Sequence, residues 1–265
     1  MKKILISIIC CLTFSLAVHA QASGGQITRK TRSSNVQGNR QHHKKNKQPA
    51  NSVKLDDGTV IIYETSKDVD LGLPSGTIWA GWNIGASSPL SIGDYFAWGE
   101  TETKSNYDWG DYFDINTVQK DIYGKYTKPC FKDYHVDAKL SIVGTNRDAA
   151  YVKWGYPWQM PTKEQLEELV KECRINQVSL PGNKWFVVFT GQNGKSIIFP
   201  TTGEKYKTEI GNNYFNGTLI WSGELRPFAE ASTQNSEFAY HLGSRRVFAE
   251  GFRCYGMNIR AVRSR

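Results

Sequence analysis

Short strand signals recur throughout residues 53–265, each fenced by Gly, Pro or Asp, while only one stretch has a sustained helical period. That pairing constrains the fold more than anything else in the chain: a β-rich body with one packed helix. "TVIIY" (59–63), "TIWA" (77–80) and "DYFAW" (94–98) read as strands. "KWFVVFT" (184–190), the turn "GQNG" and "KSIIFP" (195–200) read as a hairpin, with Asn193 and Gly194 expected at positive φ. "TLIWS" (218–222), "FAYHL" (238–242), "RVFAE" (246–250) and "NIRAV" (258–262) follow. The stretches 101–135, 201–217 and 223–237 read as long irregular connections. Connections this long in a compact domain are usually functional or disordered, and their Tyr and Trp content argues for order.

The helix is expected over 163–174. Thr162 and Gln165 form a capping box, in which each side chain can satisfy the other's backbone N–H. Leu166, Leu169, Val170 and Cys173 then make one apolar stripe, with Glu167 and Lys171 on the wet face. Pro161 stands just outside the cap, where its missing N–H costs nothing, and it keeps Met160 extended. "WGYPWQMPT" therefore reads as an extended arm pinned by its aromatic rings and feeding the helix. A shorter helical turn is expected around "NRDAAYVKW" (146–154).

Residues 1–20 have the pattern of a secretory signal. Lys2 and Lys3 precede an apolar run from Ile4 to Val18, and Val18-His19-Ala20 resembles a cleavage site, which implies an extracytoplasmic protein. The run is too short for a membrane span, so no transmembrane segment is expected in the mature chain. The chain's formal charge is +8, but residues 1–52 hold nine Lys and Arg and no acid, which leaves 53–265 at −1. Residues 21–52 almost lack apolar side chains and read as a disordered basic tether spanning about 30 Å. Such a tether can touch anionic surfaces, but basic tails without aromatics bind weakly, and no specific nucleic-acid partner is expected. Residues 53–265 are expected to form a single domain. Its cysteines are Cys130, Cys173 and Cys254, an odd number that leaves their pairing open.

Several blocks resemble one family. "VDLGLPSGTIWAGWNIGASSPLSIGDYFAWGET" (69–101), "DAAYVKWGYPWQMPTKEQLEELVKEC" (148–173), "GKSIIFPTTG" (194–203), "IWSGE" (220–224), "FAYHL" and "GMNIRAVR" (256–263) are similar, in order, to the Fibrobacter succinogenes major paralogous domain family. Gln159, Ala261 and Gly223 depart from its usual Arg, Pro and Ser. The resemblance implies an α+β, C-type-lectin-like fold in an exported envelope protein, and it transfers a fold better than a function.

The chain is poor in catalytic signals. It has no G-x-S-x-G, H-E-x-x-H or C-x-x-C motif, and nothing calls for a cofactor. His241, inside a strand signal, reads as a satisfied structural residue; His135 is the other histidine of the domain. "GFRC" (251–254) is similar to the close of formylglycine-generating enzymes, and that alternative needs Cys254 exposed beside a second cysteine. Asp108, Asp111 and Asp114 form a weak calcium candidate without EF-hand spacing. The favoured reading is a non-catalytic module that recognises a glycan or a surface protein. Its expected binding face is Tyr107, Trp109, Tyr112, Tyr206, Tyr214 and Phe215, rigid rings on loops among Asp, Asn and Gly. A structural envelope protein without a ligand is the remaining alternative.

Overall fold

The computed structural model describes residues 49–113, 115–120, 126–131, 141–182, 184–211, 217–226 and 237–265. The expected signal (1–20) and the tether up to residue 48 lie outside these, as do Asp114, His135, Tyr214 and Phe215. In order, the elements are β1 (Ser52–Lys54), β2 (Val60–Ile62), β3 (Asp68–Asp70), β4 (Ile78–Ala80), β5 (Ile115–Lys120), β6 (Tyr126–Phe131), α1 (Ala149–Trp154) and α2 (Lys163–Glu172). There follow β7 (Arg174–Leu180), β8 (Lys184–Thr190), β9 (Ser196–Pro200), β10 (Glu204–Tyr206), β11 (Glu209–Gly211), β12 (Ile220–Leu225), β13 (Phe238–Leu242), β14 (Val247–Phe252) and β15 (Val262–Arg263). All these strands pair antiparallel, in sheets of two or three, so the architecture is α+β.

α2 forms because its ends and its stripe agree. Thr162 Oγ1 accepts from Gln165 N at 3.2 Å, and Gln165 Oε1 accepts from Thr162 N at 2.9 Å. Leu166 and Leu169 are wholly buried against Trp79, Val187, Phe189, Ile197, Phe199 and Val262. Each such leucine contributes roughly 1.5–3 kcal/mol. The helix stops at Glu172, short of the expected 174, because Arg174 opens β7, which pairs along its whole length with β8. β7 mixes polar and apolar residues, and of its side chains only Val178 is fully buried, so its pattern is weak.

The arm before α2 is held by backbone and rings together. Gln159 and Val262 exchange N–H···O bonds of 2.9 and 2.8 Å, and Gly223 N donates to Pro161 O at 2.9 Å. Trp158 is buried, and it meets the half-buried Trp154 edge-on at 5.5 Å. The Lys67 ammonium sits 4.2 Å over the Trp154 ring, a cation–π contact that covers the pair from outside.

A second core gathers Phe96, Trp98, Trp158, Met160, Trp221, Met257 and Ile259. Between the two cores Arg260 is fully buried. Its guanidinium donates to Asn83 Oδ1 (2.8 Å), Ala80 O (3.1 Å) and Ile198 O (3.0 Å), and lies 4.0 Å from the Phe199 ring centre. It thus faces acceptors but no carboxylate among the described residues. Burial draws its pKa down to about 9, still high enough to keep it charged at neutral pH.

Four sequence expectations need correction. "DYFAW" is no strand: Asp94 is exposed, residues 95–98 are buried, and Phe96 bridges Met257 with bonds of 2.9 and 3.0 Å. "NIRAV" contributes only its last residue to a strand, Val262, at the start of β15. The stretches 101–135 and 201–217 are not wholly irregular, since they contain the hairpins β5–β6 and β10–β11. In the β8–β9 turn only Gly194 has positive φ (81°); Asn193 instead donates from its side chain to Asp70 O at 2.8 Å. No helix among the described residues is long and apolar enough to cross a membrane.

Candidate functional site

The loop that leaves the second core carries the most exposed chemistry. Its root is rigid: the Trp98 indole N–H donates to Ser222 O at 2.9 Å and Trp221 Nε1 to Phe96 O at 2.9 Å. At Gly99 the chain turns outward with φ +78°, and an added Cβ would stand 3.3 Å from the Phe113 ring. Only glycine takes that conformation without strain and leaves the ring in place. Glu100 follows. Its Oε1 accepts from Lys104 Nζ at 2.8 Å and from Phe113 N at 3.0 Å, closing the loop on itself. Lys104 also donates to Asp111 O at 2.9 Å.

A second wall comes from the turn before α1. Asp148 is fully buried, and its carboxylate accepts from Gly144 N (2.8 Å), Tyr151 N (3.0 Å) and Met160 N (2.8 Å). It therefore caps α1, shapes the 144–147 turn and ties the aromatic arm to both. Burial raises its pKa, and the three N–H donors oppose that shift. The turn presents Asn146 and Arg147, with the Arg147 guanidinium 5.0 Å over the Phe113 ring.

Between these walls lies an open groove of about 460 Å³, running from Gly99 to Lys104 on one side and to Asn146 and Arg147 on the other, with Phe113 in its lining. Glu102 at its rim is paired with Lys153 of α1 at 2.6 Å. The groove offers hydroxyls, an amide, a carboxylate and a guanidinium over one aromatic ring. It can hold a polar ligand by directed hydrogen bonds.

Of the rings expected to form a binding face, two turn inward. Tyr107 and Tyr112 are interior residues, which corrects their assignment as ligand contacts. Tyr107 Oη donates to Tyr95 O at 2.6 Å, and Tyr112 Oη donates to Trp98 O while accepting from Arg253 Nε at 3.0 Å. A tyrosine whose hydroxyl finds a buried carbonyl gains more from packing its ring than from displaying it. Trp109 is half-buried, edge-on to Tyr112 at 5.4 Å and Phe252 at 6.2 Å. Tyr206 is exposed on β10, its ring 5.1 Å from Tyr255. Tyr214 and Phe215 lie outside the described residues.

Of the calcium candidates, Asp108 Oδ1 is engaged by Gly110 N (2.9 Å) and Asp111 N (3.3 Å), Asp111 Oδ2 accepts from the Asn106 side chain, and Asp114 lies outside the described residues. Among the described residues no three His, Cys, Asp or Glu side chains gather as a metal would require. Cys173 and Cys254 are both free and buried; burial pushes the Cys173 thiol up to about 12 and the Cys254 thiol higher still. The backbone of Cys130 lies in β6, opposite Thr117. His241 is structural but not satisfied, since its Nδ1 has no hydrogen-bond partner among the described residues. The groove residues Glu100, Lys104, Phe113, Asn146 and Arg147 were missed. Their one local signal was a "GET" (99–101) that breaks the aromatic run and turns polar.

No family model, no curated protein and no solved structure matches the chain. The groove's own chemistry must therefore speak for its use.

Proposed function

We propose that the chain is an exported, non-catalytic binding module of the cell envelope, built on a C-type-lectin-like frame and recognising a glycan or protein ligand. The observation that carries this reading is the groove between Glu100 and Arg147, in which polar side chains stand over a largely apolar lining, and whose walls are fixed by the bonds from Phe113 N to Glu100 and from Met160 N to Asp148. Rigid walls need no ordering when a ligand enters, and that favours recognition. The family resemblance of the quoted blocks and the small antiparallel sheets, with β15 closing beside β4, support the frame. The sequence pattern of residues 1–20 supports export. The oxidase alternative needs a reactive thiol, and Cys254 is enclosed with its thiol form favoured. The test is a glycan and envelope-protein array probed with the folded mature chain. Saturable binding to one class is the expected result; silence from a chain that unfolds cooperatively would overturn the reading.

A further inference from the structure

Resting on that reading, we propose that the groove receives the uncharged end of an oligosaccharide, with Glu100, Thr101, Thr103 and Asn146 as the hydroxyl-reading side chains. Three observations carry the assignment.

The first is charge. Glu100 is paired with Lys104 at 2.8 Å and Glu102 with Lys153 at 2.6 Å, so each rim carboxylate already has its cation. A polyanion entering here would meet two carboxylates, and a polycation would meet Lys104 and Arg147. Neither sign is favoured, and like charges brought together in a half-buried site are repelled.

The second is unspent hydrogen-bonding capacity. The Glu100 side chain is only 12% exposed, yet both its protein partners use Oε1. Oε2 is left for a ligand, and a carboxylate oxygen accepts from hydroxyl groups through charge-assisted bonds. Among the described residues Thr101, Thr103 and Asn146 make no side-chain hydrogen bond, and they line the same groove. A hydroxyl and an amide each donate and accept, as vicinal sugar hydroxyls do.

The third is shape. The volume of about 460 Å³ falls within the range of small-ligand sites, roughly 300–1,000 Å³. The Phe113 ring supplies one apolar patch against which a sugar's C–H face can lie. A peptide would look instead for a free strand edge or a deep apolar anchor pocket. Residues 99–104 form no strand on which a peptide could pair.

The experiment titrates the full mature chain with neutral hexasaccharides of glucose, mannose and galactose linkages. Oligogalacturonate and a peptide library are run in parallel. Thr103→Ala and Asn146→Ala remove side chains that hold nothing else in place, and Glu100→Gln keeps shape while removing charge. Ile62→Ala, exposed on β2 and outside the groove lining, is the control. The expected result is that a neutral hexasaccharide binds, that Glu100→Gln weakens it about tenfold, the worth of one charge-assisted bond, and that Thr103→Ala and Asn146→Ala weaken it severalfold. Ile62→Ala should leave it unchanged. Neutral-sugar binding indifferent to all three groove variants overturns the assignment. So does groove-dependent binding of oligogalacturonate or peptide alone, which leaves the binding-module reading standing. A folded chain that binds nothing in any arm brings down both.

Discussion

Acid should weaken this fold through one histidine. His241 lies on β13, its ring stacked 5.3 Å from Phe248 at 13° and edge-on to Trp221 at 6.0 Å, with Nδ1 lacking any partner among the described residues. The strand on its other side approaches so closely that a Cβ on Gly251 would stand 2.9 Å from Nδ1. Burial alone pulls the His241 pKa from 6.5 to about 4. The native state therefore binds fewer protons than the unfolded chain between those values. Stability must fall as the pH drops from about 6.5 to about 4, with no further contribution below. A gap of two to three pKa units is worth about 3 kcal/mol, a large part of a domain's net stability. The assay is urea denaturation of the full chain at pH 7.5 and pH 4.5, for the parent and for His241→Phe. Phenylalanine keeps the stacked ring and gives up no bond at Nδ1, so the variant should stay within about 1 kcal/mol of the parent at pH 7.5. At pH 4.5 it should be the more stable of the two by about 2–3 kcal/mol. Carboxylates shift the absolute curves. Asp70, held low chiefly by the Gly72 N–H, adds to the acid loss, while Asp148, Glu204 and Glu224, raised by burial, oppose it. They act alike in both proteins and cancel in the comparison. Equal acid losses in parent and variant would refute the argument.

Other substitutions read out the remaining buried contacts. Arg260→Met removes an unpaired interior charge but orphans Asn83 Oδ1, Ala80 O and Ile198 O, at roughly 1–3 kcal/mol each, so urea denaturation should report a loss of at least about 3 kcal/mol. Thr162→Ala deletes half of the α2 capping box and should cost about 1 kcal/mol in the same measurement. Leu169→Ala, in the middle of the buried stripe, should cost about 2–5 kcal/mol. A soluble thiol reagent should leave Cys254 unmodified in the native chain and modify it once urea unfolds the domain, with mass spectrometry as the readout.

What could be read from sequence follows the reach of the interactions. α2 was legible because its cap and its stripe lie within a dozen residues, though its stop, set by the pairing of β7, was not; the β8–β9 hairpin was legible because its strands are adjacent and strongly apolar. α1 was legible from "DAAYVKW", with Asp148 as its cap. Tyr107 and Tyr112 were misread because the carbonyls that fix their hydroxyls belong to Tyr95 and Trp98, on a stretch of no special polarity. β5–β6 and β10–β11 were hidden because β5 and β6 mix polar and apolar residues without a clean alternation and β10 and β11 are only three residues each. The groove was invisible for a different reason. Glu100 and Arg147 come from separate loops, and only Asp148, by gripping both the 144–147 turn and Met160, sets the second wall in place. The Arg260 site escaped notice too, since an arginine in "NIRAV" looks like any solvent-facing position of a strand.

The two-residue strand β15 is the smallest element, and it decides when the body can close. Val262 pairs with Trp79, and Arg263 reaches Asp68 across 195 positions. A polypeptide made from its amino end has therefore synthesised β1 to β14 before β4 acquires this neighbour. Until then Trp79 borders a sheet margin with open backbone groups, the kind of margin on which another nascent copy can dock. Final zipping thus waits for Val262 and Arg263, and a chain cut before them would keep that seam open.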